Sequence, residues 1–405
     1  MAKNEVINFV YIGRMEEEKW FDLVISLLRS IFFESQNYKN KVRFFIFGDG
    51  NLKKDFLWSF QWITDLFEDN ITTLLSKNYK TINYFGRQDR QLIDEILEIS
   101  NFSLMPSRFI ETFGLVGLES CTKWVNVIWY RRWWLANFVL PEFDISTYEW
   151  NTEVKKLRKL FDNIIENYWL AKINNISKQS IEISQRFNQE AWLEKFKSMF
   201  EKQKILMVSD YLPNIWWIEN YILKTSDLLT KNWFTVEKFG RDGLKWKMPK
   251  WLKILWLPCT AWNFWFAKKL KEKIMTFKPD LIWFHSVSRF AGWLPLYQTK
   301  SKDYKRWIMY HDLWYFCAYP SKINNEEKLY KKLTLFNFLK TAGTKNIFKL
   351  IAVCFKYLSN FSIYQNLKKD NFDKHLVPSE FMVKILLSQY ELIRDKIEIL
   401  EHFKD

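Results

Sequence analysis

The chain has 405 residues, 48% of them hydrophobic and 26% charged; that length suits two domains of about 200 residues each, and the balance excludes a disordered chain. Its formal charge of +15 has two readings: lysines solvated on helix faces in a composition drifted toward Lys, Asn, Ile and Phe, or adhesion to an anionic membrane surface. No dense basic run interleaved with aromatics occurs, so nucleic acid is not an expected partner. Four scattered cysteines with no C-x-x-C point to a reduced, cytoplasmic compartment. The four histidines lack metal-ligand spacing, so no protein-built metal site is expected; no cofactor is expected either. MAKNEVINFVYIGR lacks the basic start and long apolar stretch of a signal peptide. The most apolar later segment, residues 346–364, contains Lys349 and Lys356 and falls short of a membrane span.

Along residues 1–150, short apolar runs alternate with helical patterns, which signals a parallel α/β sheet. VINFVYIG, VRFFIFG, INYFG, FSLMPS and VNVIWY read as buried strands, with helices predicted over 21–34, 52–67, 89–99 and 114–122. A polar helical stretch then runs to Gln203 and ends in FNQEAWLEKFKSMF. A second alternating series begins at KILMVSDYL and continues through FTVEKFG, LKILWLP, LIWFHS, RWIMYH, KHLVPS and KIEIL. The restart divides the chain into 1–203 and 204–405, two doubly wound domains whose ligands gather at the carboxyl ends of the strands.

Tryptophan usage is anomalous, with 22 Trp against 10 Gly. The doublets Trp133-Trp134 and Trp216-Trp217 fall between strand-like and helix-like runs, where tight turns demand φ > 0 and suit Gly. Some bacterial lineages read the UGA codon as Gly, where a standard translation prints Trp. Reading every Trp except Trp192 and Trp314 as Gly brings the glycine count to about 30, near the roughly 28 of average usage. The competing reading is a truly Trp-rich protein with stacking platforms for sugars or bases.

With those positions read as Gly, the motifs fall into one order. VYIGRMEEEKW, carrying Arg14 and Lys19, offers two cations at a strand end. FIFGDGNLKKDF carries Gly48 and Gly50. SRFIETFGLVGLESCTKWVNVIWYRRWWL carries Glu111 and Glu119, eight residues apart. Together they resemble the donor-binding half of the family 4 retaining glycosyltransferases, two-domain enzymes of the GT-B type with paired Rossmann-like domains. The resemblance implies a nucleotide-diphosphate sugar donor as co-substrate, with Glu111 at the transferring sugar and Glu119 on the ribose hydroxyls. Arg14, Lys19, Gly48 and the helix start at Phe113, Gly114 and Leu115 would bind the diphosphate, where backbone N–H groups and the helix dipole favour anions. Ser120-Cys121-Thr122 and Asn126 depart mildly from the family's pattern.

The second half resembles the family's other, acceptor-side domain. Trp216-Trp217 stands at its P-x-x-G-G loop, close to the donor, and His285 of DLIWFHS at a strand end near the sugar. His311 and Asp312 of YHDLWYFC are further candidates. HLVPSEFMVKIL and IEILEHF resemble the family's V-S-E-x-x-K segment and closing strand. The order is inverted relative to the family, with the donor domain first. A circular permutation with a complete site, a fusion of two broken enzymes, and domain exchange between chains all fit that order. In the first, Met1 and Asp405 would lie near each other across a cleft. The expected activity is metal-independent glycosyl transfer to a glycan or lipid-linked acceptor of the cell envelope, in the cytoplasm and in contact with the inner membrane face. The contrasting expectation is a non-catalytic fused remnant that only binds a glycan or partner.

Overall fold

A computed structural model of the chain describes residues 6–33, 38, 40–71, 76–108, 113–147, 152–167, 182–183, 185–212, 217–241, 263–285, 287–288, 291–317, 334–340, 342, 346–368 and 372–403. These residues fold as two Rossmann-like α/β domains, each on one parallel six-stranded sheet. The chain divides into compact units at Met1–Arg186 and Phe187–Phe403.

In chain order the first unit runs β1 (Ile7–Ile12), α1 (Phe21–Phe33), β2 (Val42–Phe47), α2 (Lys53–Phe60), β3 (Phe67–Glu68), β4 (Ile82–Gly86), α3 (Arg90–Ile99), β5 (Phe102–Leu104), α4 (Leu115–Thr122), β6 (Asn126–Ile128) and α5 (Glu153–Asn167). Its sheet order is β3-β4-β2-β1-β5-β6. The central strands are near-continuous apolar runs because helices cover both faces of a parallel sheet. Phe9 pairs in register with Phe44 and Phe102; its ring stacks on theirs at 5.1 and 5.2 Å, and Phe161 of α5 lies 4.2 Å over it. The Asp89 carboxylate caps α3 by accepting from Leu92 N–H at 3.0 Å, which fixes where that helix starts. The helix predicted over 52–67 stops at Phe60. Its last buried side chain is Phe60, and Phe67 is drawn into the short edge strand β3 opposite Ile82.

The second unit contains α6 (Gln189–Met199), β7 (Lys204–Tyr211), α7 (Trp217–Lys231), β8 (Thr235–Arg241), α8 (Phe264–Phe277), β9 (Leu281–Phe284), α9 (Leu294–Gln298), β10 (Lys305–Met309), α10 (Leu335–Lys340), α11 (Ile347–Lys368), β11 (Lys374–Val377), α12 (Glu380–Gln389) and β12 (Ile397–Ile399). The strand order is β12-β11-β10-β9-β7-β8. The strand expected at LKILWLP lies outside the described residues. Asn188 caps α6, and Trp192 and Phe196 on that helix join the core of the second sheet with Trp283 and Trp307. The tail of the polar stretch therefore packs with the second half of the chain. No helix among the described residues is long and apolar enough to cross a membrane.

Backbone conformation bears on the tryptophans. Five non-glycine residues among those described have positive φ, and three of them are Trp20, Trp124 and Trp233. Trp124 follows α4 with φ 66°, while Val125 N–H bonds to Ser120 O and Trp124 N–H to Cys121 O, each at 3.0 Å. That is the Schellman ending of a helix, whose left-handed residue is usually Gly. Trp233 repeats it after α7 with φ 71°, Phe234 N–H reaching Leu229 O at 3.1 Å. The indole N–H groups of Trp129, Trp283, Trp293 and Trp307 are buried without a hydrogen-bond partner among the described residues, but so is that of Trp192, which is read as a true Trp, so this feature does not separate the two readings.

Candidate functional site

In the first sheet β2 follows β1 on one side and β5 lies on the other, so the topological switch point, where such folds bind ligands, is at the carboxyl ends of β1 and β5. Four loops are laced together along that edge. Gly13 N–H bonds to Phe47 O at 3.1 Å and Met15 N–H to Asp49 O at 3.0 Å, joining the β1 and β2 loops. Gly48 N–H donates to Gly86 O at 2.8 Å, adding the β4 loop. Arg108 N–H donates to Glu18 O at 3.1 Å and its guanidinium meets Asp22 at 2.6 Å, which draws the β5 loop onto the start of α1. Gly48 has φ 138°, and a Cβ there would sit 1.8 Å from Gly13 O. Only Gly permits so close a backbone crossing.

Of the expected donor-side residues in the first unit, Arg14, Lys19 and Gly48 lie in the β1 and β2 loops of this edge, and Phe113, Gly114, Leu115 and Glu119 lie at and within α4 after β5. Arg14 follows β1, exposed, with its guanidinium on Glu16 and 3.9 Å from Glu18. Lys19 closes a single 3-10 turn, and Trp20 beyond it is left-handed at φ 50°. Phe113 is buried, Gly114 is the left-handed N-cap of α4 at φ 73°, and Leu115 is the first residue of that helix. Glu119 projects from α4 to Arg90 at 2.5 Å, and Arg90 also holds Asp94 at 2.8 Å. Burial works against the Arg90 charge, but the Glu119 carboxylate holds its pKa above the usual value. Glu111, the expected residue at the sugar, lies outside the described residues. Arg90 and Arg108 were missed by sequence reasoning: Arg90 belongs to no motif, Arg108 stands in SRFIETFG without an assigned role, and each reaches its carboxylate across separate elements.

In the second sheet the switch point lies between β7 and β9. His285 follows β9 directly, its N–H bonded to Val208 O of β7 at 2.9 Å. It is brought together with His311, the expected partner candidate, by a 2.9 Å contact between His285 Nδ1 and His311 Nε2. Asp312 instead caps the next turn, accepting from Trp314 N–H at 3.0 Å. His402, given no role in the IEILEHF segment, joins the pair with its ring 5.3 Å from His311. Trp216 lies outside the described residues, and Trp217 starts α7.

All three histidines are buried. Burial, then the charge of His402, pushes His285 down to about 3; burial pushes His402 down to about 3; burial with both neighbours holds His311 well below the usual range. An unfolded histidine binds its proton near pH 6.5, so in the window from there down toward pH 3 the unfolded chain holds more protons. The stability these neutral rings carry is present above that window and is lost as pH falls through it, by up to about 1.4 kcal/mol per pH unit for each ring. Thermal melts should therefore fall steeply below about pH 6.5; a melting temperature unchanged between about pH 7 and 5 would contradict the buried neutral column.

Residues 2–179 match the family model for group 1 glycosyl transferases. No curated protein sequence matches the chain. Among solved structures, the S. aureus TarM complex with fondaparinux, α-GlcNAc-glycerol and UDP is 18% identical, covering 50% of this chain and 37% of its own, with a TM-score of 0.35. Anabaena HepE with UDP is 17% identical over 48% of this chain and 49% of its own, TM-score 0.34. The catalytic domain of the Helicobacter pylori cholesterol-α-glucosyltransferase is 16% identical over 45% of this chain and 96% of its own, TM-score 0.30. The match thus spans less than half the length of the TarM and HepE chains. The group 1 match ends within the first unit, which contains the laced edge.

Proposed function

We propose that the chain is a retaining glycosyltransferase that moves a sugar from a nucleotide-diphosphate donor to a glycan or lipid-linked acceptor. Residues 1–203 would hold the donor and 204–405 would serve the acceptor side, the family's order inverted by circular permutation, in the cytoplasm. The observation that carries the reading is the tie between the β1 and β5 loops, Arg108 N–H to Glu18 O at 3.1 Å, at the switch point of the unit that matches the family model. There the start of α4 can offer N–H groups to the phosphates, while Arg14 and Lys19 counter the charge of the departing diphosphate. Those cations take the part that a metal plays in other phosphate sites, so the reaction as read uses neither metal nor cofactor. Most printed Trp, including the pair at 216 and 217, are read as Gly in the cellular protein.

Calorimetric titration of the full chain with UDP, GDP and ADP should find saturable binding of one of them; no binding by any removes the donor reading. Glu119→Ala should weaken that binding by about 2 kcal/mol, or about thirtyfold, the loss of hydrogen bonds to a charged group. Glu111→Ala should spare binding and lower kcat by about a hundredfold; near-normal turnover rules out its role. Transfer by the monomeric chain supports permutation, whereas donor binding with no transfer to any acceptor supports the non-catalytic remnant.

The proposed contact with an anionic membrane is supported by the outer face of α8. Phe264 and Met275 are exposed there among the exposed Lys268, Lys269 and Lys271, a basic face with apolar anchors. The chain should co-sediment with vesicles containing anionic lipid and stay in solution with zwitterionic ones; equal partition between the two refutes the contact.

A further inference from the structure

Three of the four histidines form one column at the carboxyl edge of the second sheet. The rings of His285 and His311 lie 5.2 Å apart at 15°, and those of His311 and His402 lie 5.3 Å apart at 14°. Tyr221 of α7 stands edge-on beside them, 4.4 Å from His402, 5.1 Å from His311 and 6.2 Å from His285. Trp283 of β9 closes on His285 at 4.6 Å.

The contact between His285 Nδ1 and His311 Nε2, 2.9 Å, couples the two tautomers, because one nitrogen must donate and the other accept. Both rings are neutral, since burial opposes their charged forms. If His285 donated, both rings would carry their proton on Nδ1. If His311 donates, both carry it on Nε2, the intrinsically favoured form of a neutral histidine side chain. This second arrangement leaves an N–H at His285 Nε2, an atom that is buried and has no hydrogen-bond partner among the described residues. A buried donor without a partner calls for a ligand oxygen, and this one follows a strand at the switch point, where ligands of such sheets bind.

We propose that His311 is a positioning residue that locks His285 in its Nε2–H tautomer, making His285 a fixed, uncharged hydrogen-bond donor to an oxygen of the bound sugar. The sugar as ligand rests on the reading of His285 given above; the tautomer lock does not. A locked His285 is no general base, because its basic nitrogen, Nδ1, is already occupied by His311. Among the described residues, the titratable groups facing the pair are Tyr221 from α7, His402 after β12 and Tyr315, whose hydroxyl donates to His285 O at 3.0 Å.

Histidine NMR on the full-length, isotope-labelled chain tests the lock. His285 should show a protonated Nε2 and an unprotonated Nδ1, unchanged between about pH 7.5 and 5.5. His311→Gln, whose amide can still donate to Nδ1, should keep that pattern. His311→Leu, which cannot, should release His285 into a mixture of tautomers. A protonated Nδ1 in the unmodified chain overturns the lock without recourse to any variant, and so does a Leu variant whose His285 is unchanged. In transfer assays, His311→Leu should lower kcat about tenfold while Gln restores most of it. An unchanged kcat alongside the NMR result overturns the sugar oxygen as the ligand and leaves the lock standing.

Discussion

Gly48→Ala is expected to unfold the first unit and abolish nucleotide binding. The added Cβ would lie 1.8 Å from the Gly13 carbonyl oxygen, a backbone atom that no rotamer change can move. Gly13 itself is held by its N–H bond to Phe47 O at 3.1 Å, and Gly48 by Tyr84 Oη, which donates to its carbonyl at 3.1 Å. Relief would require breaking the crossing of the β1 and β2 loops on which the laced edge depends. Add the strain of φ 138° for a residue with a side chain, and the cost exceeds about 4 kcal/mol, the range of severe single substitutions. Gly86→Ala provides the scale. Its φ is 70°, but an added Cβ there meets nothing closer than Tyr84 Oη at 3.6 Å, so the cost should be about 1 kcal/mol. Thermal melts and limited proteolysis of both variants distinguish a steric crossing from a general need for glycine. Equal losses, or a Gly48→Ala chain that melts like the parent, would contradict the close approach.

The strands of the first sheet could be read directly, because buried parallel strands are unbroken apolar runs and Asp89 marks the start of α3 in plain sequence. The edge strand β3 could not: two residues, Phe67 and Glu68, leave no period, and what makes them a strand is pairing with Ile82 and Asn83. The site divides in the same way. Arg14, Lys19 and Gly48 follow strand ends and Glu119 lies within α4, and it is the resemblance of the surrounding segments to a family, not spacing alone, that marks them. The Arg90 partner of Glu119 lies 29 positions earlier, at the start of another helix. His402 joins His311 although β11 separates their strands, because side chains beyond the strand ends lean over the edge, a direction that sequence does not encode.

Peptides of the native protein spanning positions 124 and 233 are expected to contain Gly. Both positions end helices in the left-handed conformation, at φ 66° and 71°, and a side chain there costs roughly 1–2 kcal/mol. Neither indole repays that strain by packing, since Trp124 is 52% exposed and Trp233 is 89% exposed. Changing either to Gly in a chain made with the standard code should therefore raise Tm by about 2–4 °C. Trp20, also left-handed, is a poorer test because its ring packs on Trp129 at 5.2 Å and under Arg108 at 5.1 Å. Stability alone does not decide the matter. Lys278 ends α8 at φ 52°, and Lys278→Gly should yield a similar gain with no change of code. What separates the readings is covalent identity. Under recoding, mass spectrometry of the native protein finds Gly at 124 and 233 while Lys278 remains Lys; Trp at both positions would end the idea, leaving a Trp-rich chain that tolerates two strained helix ends.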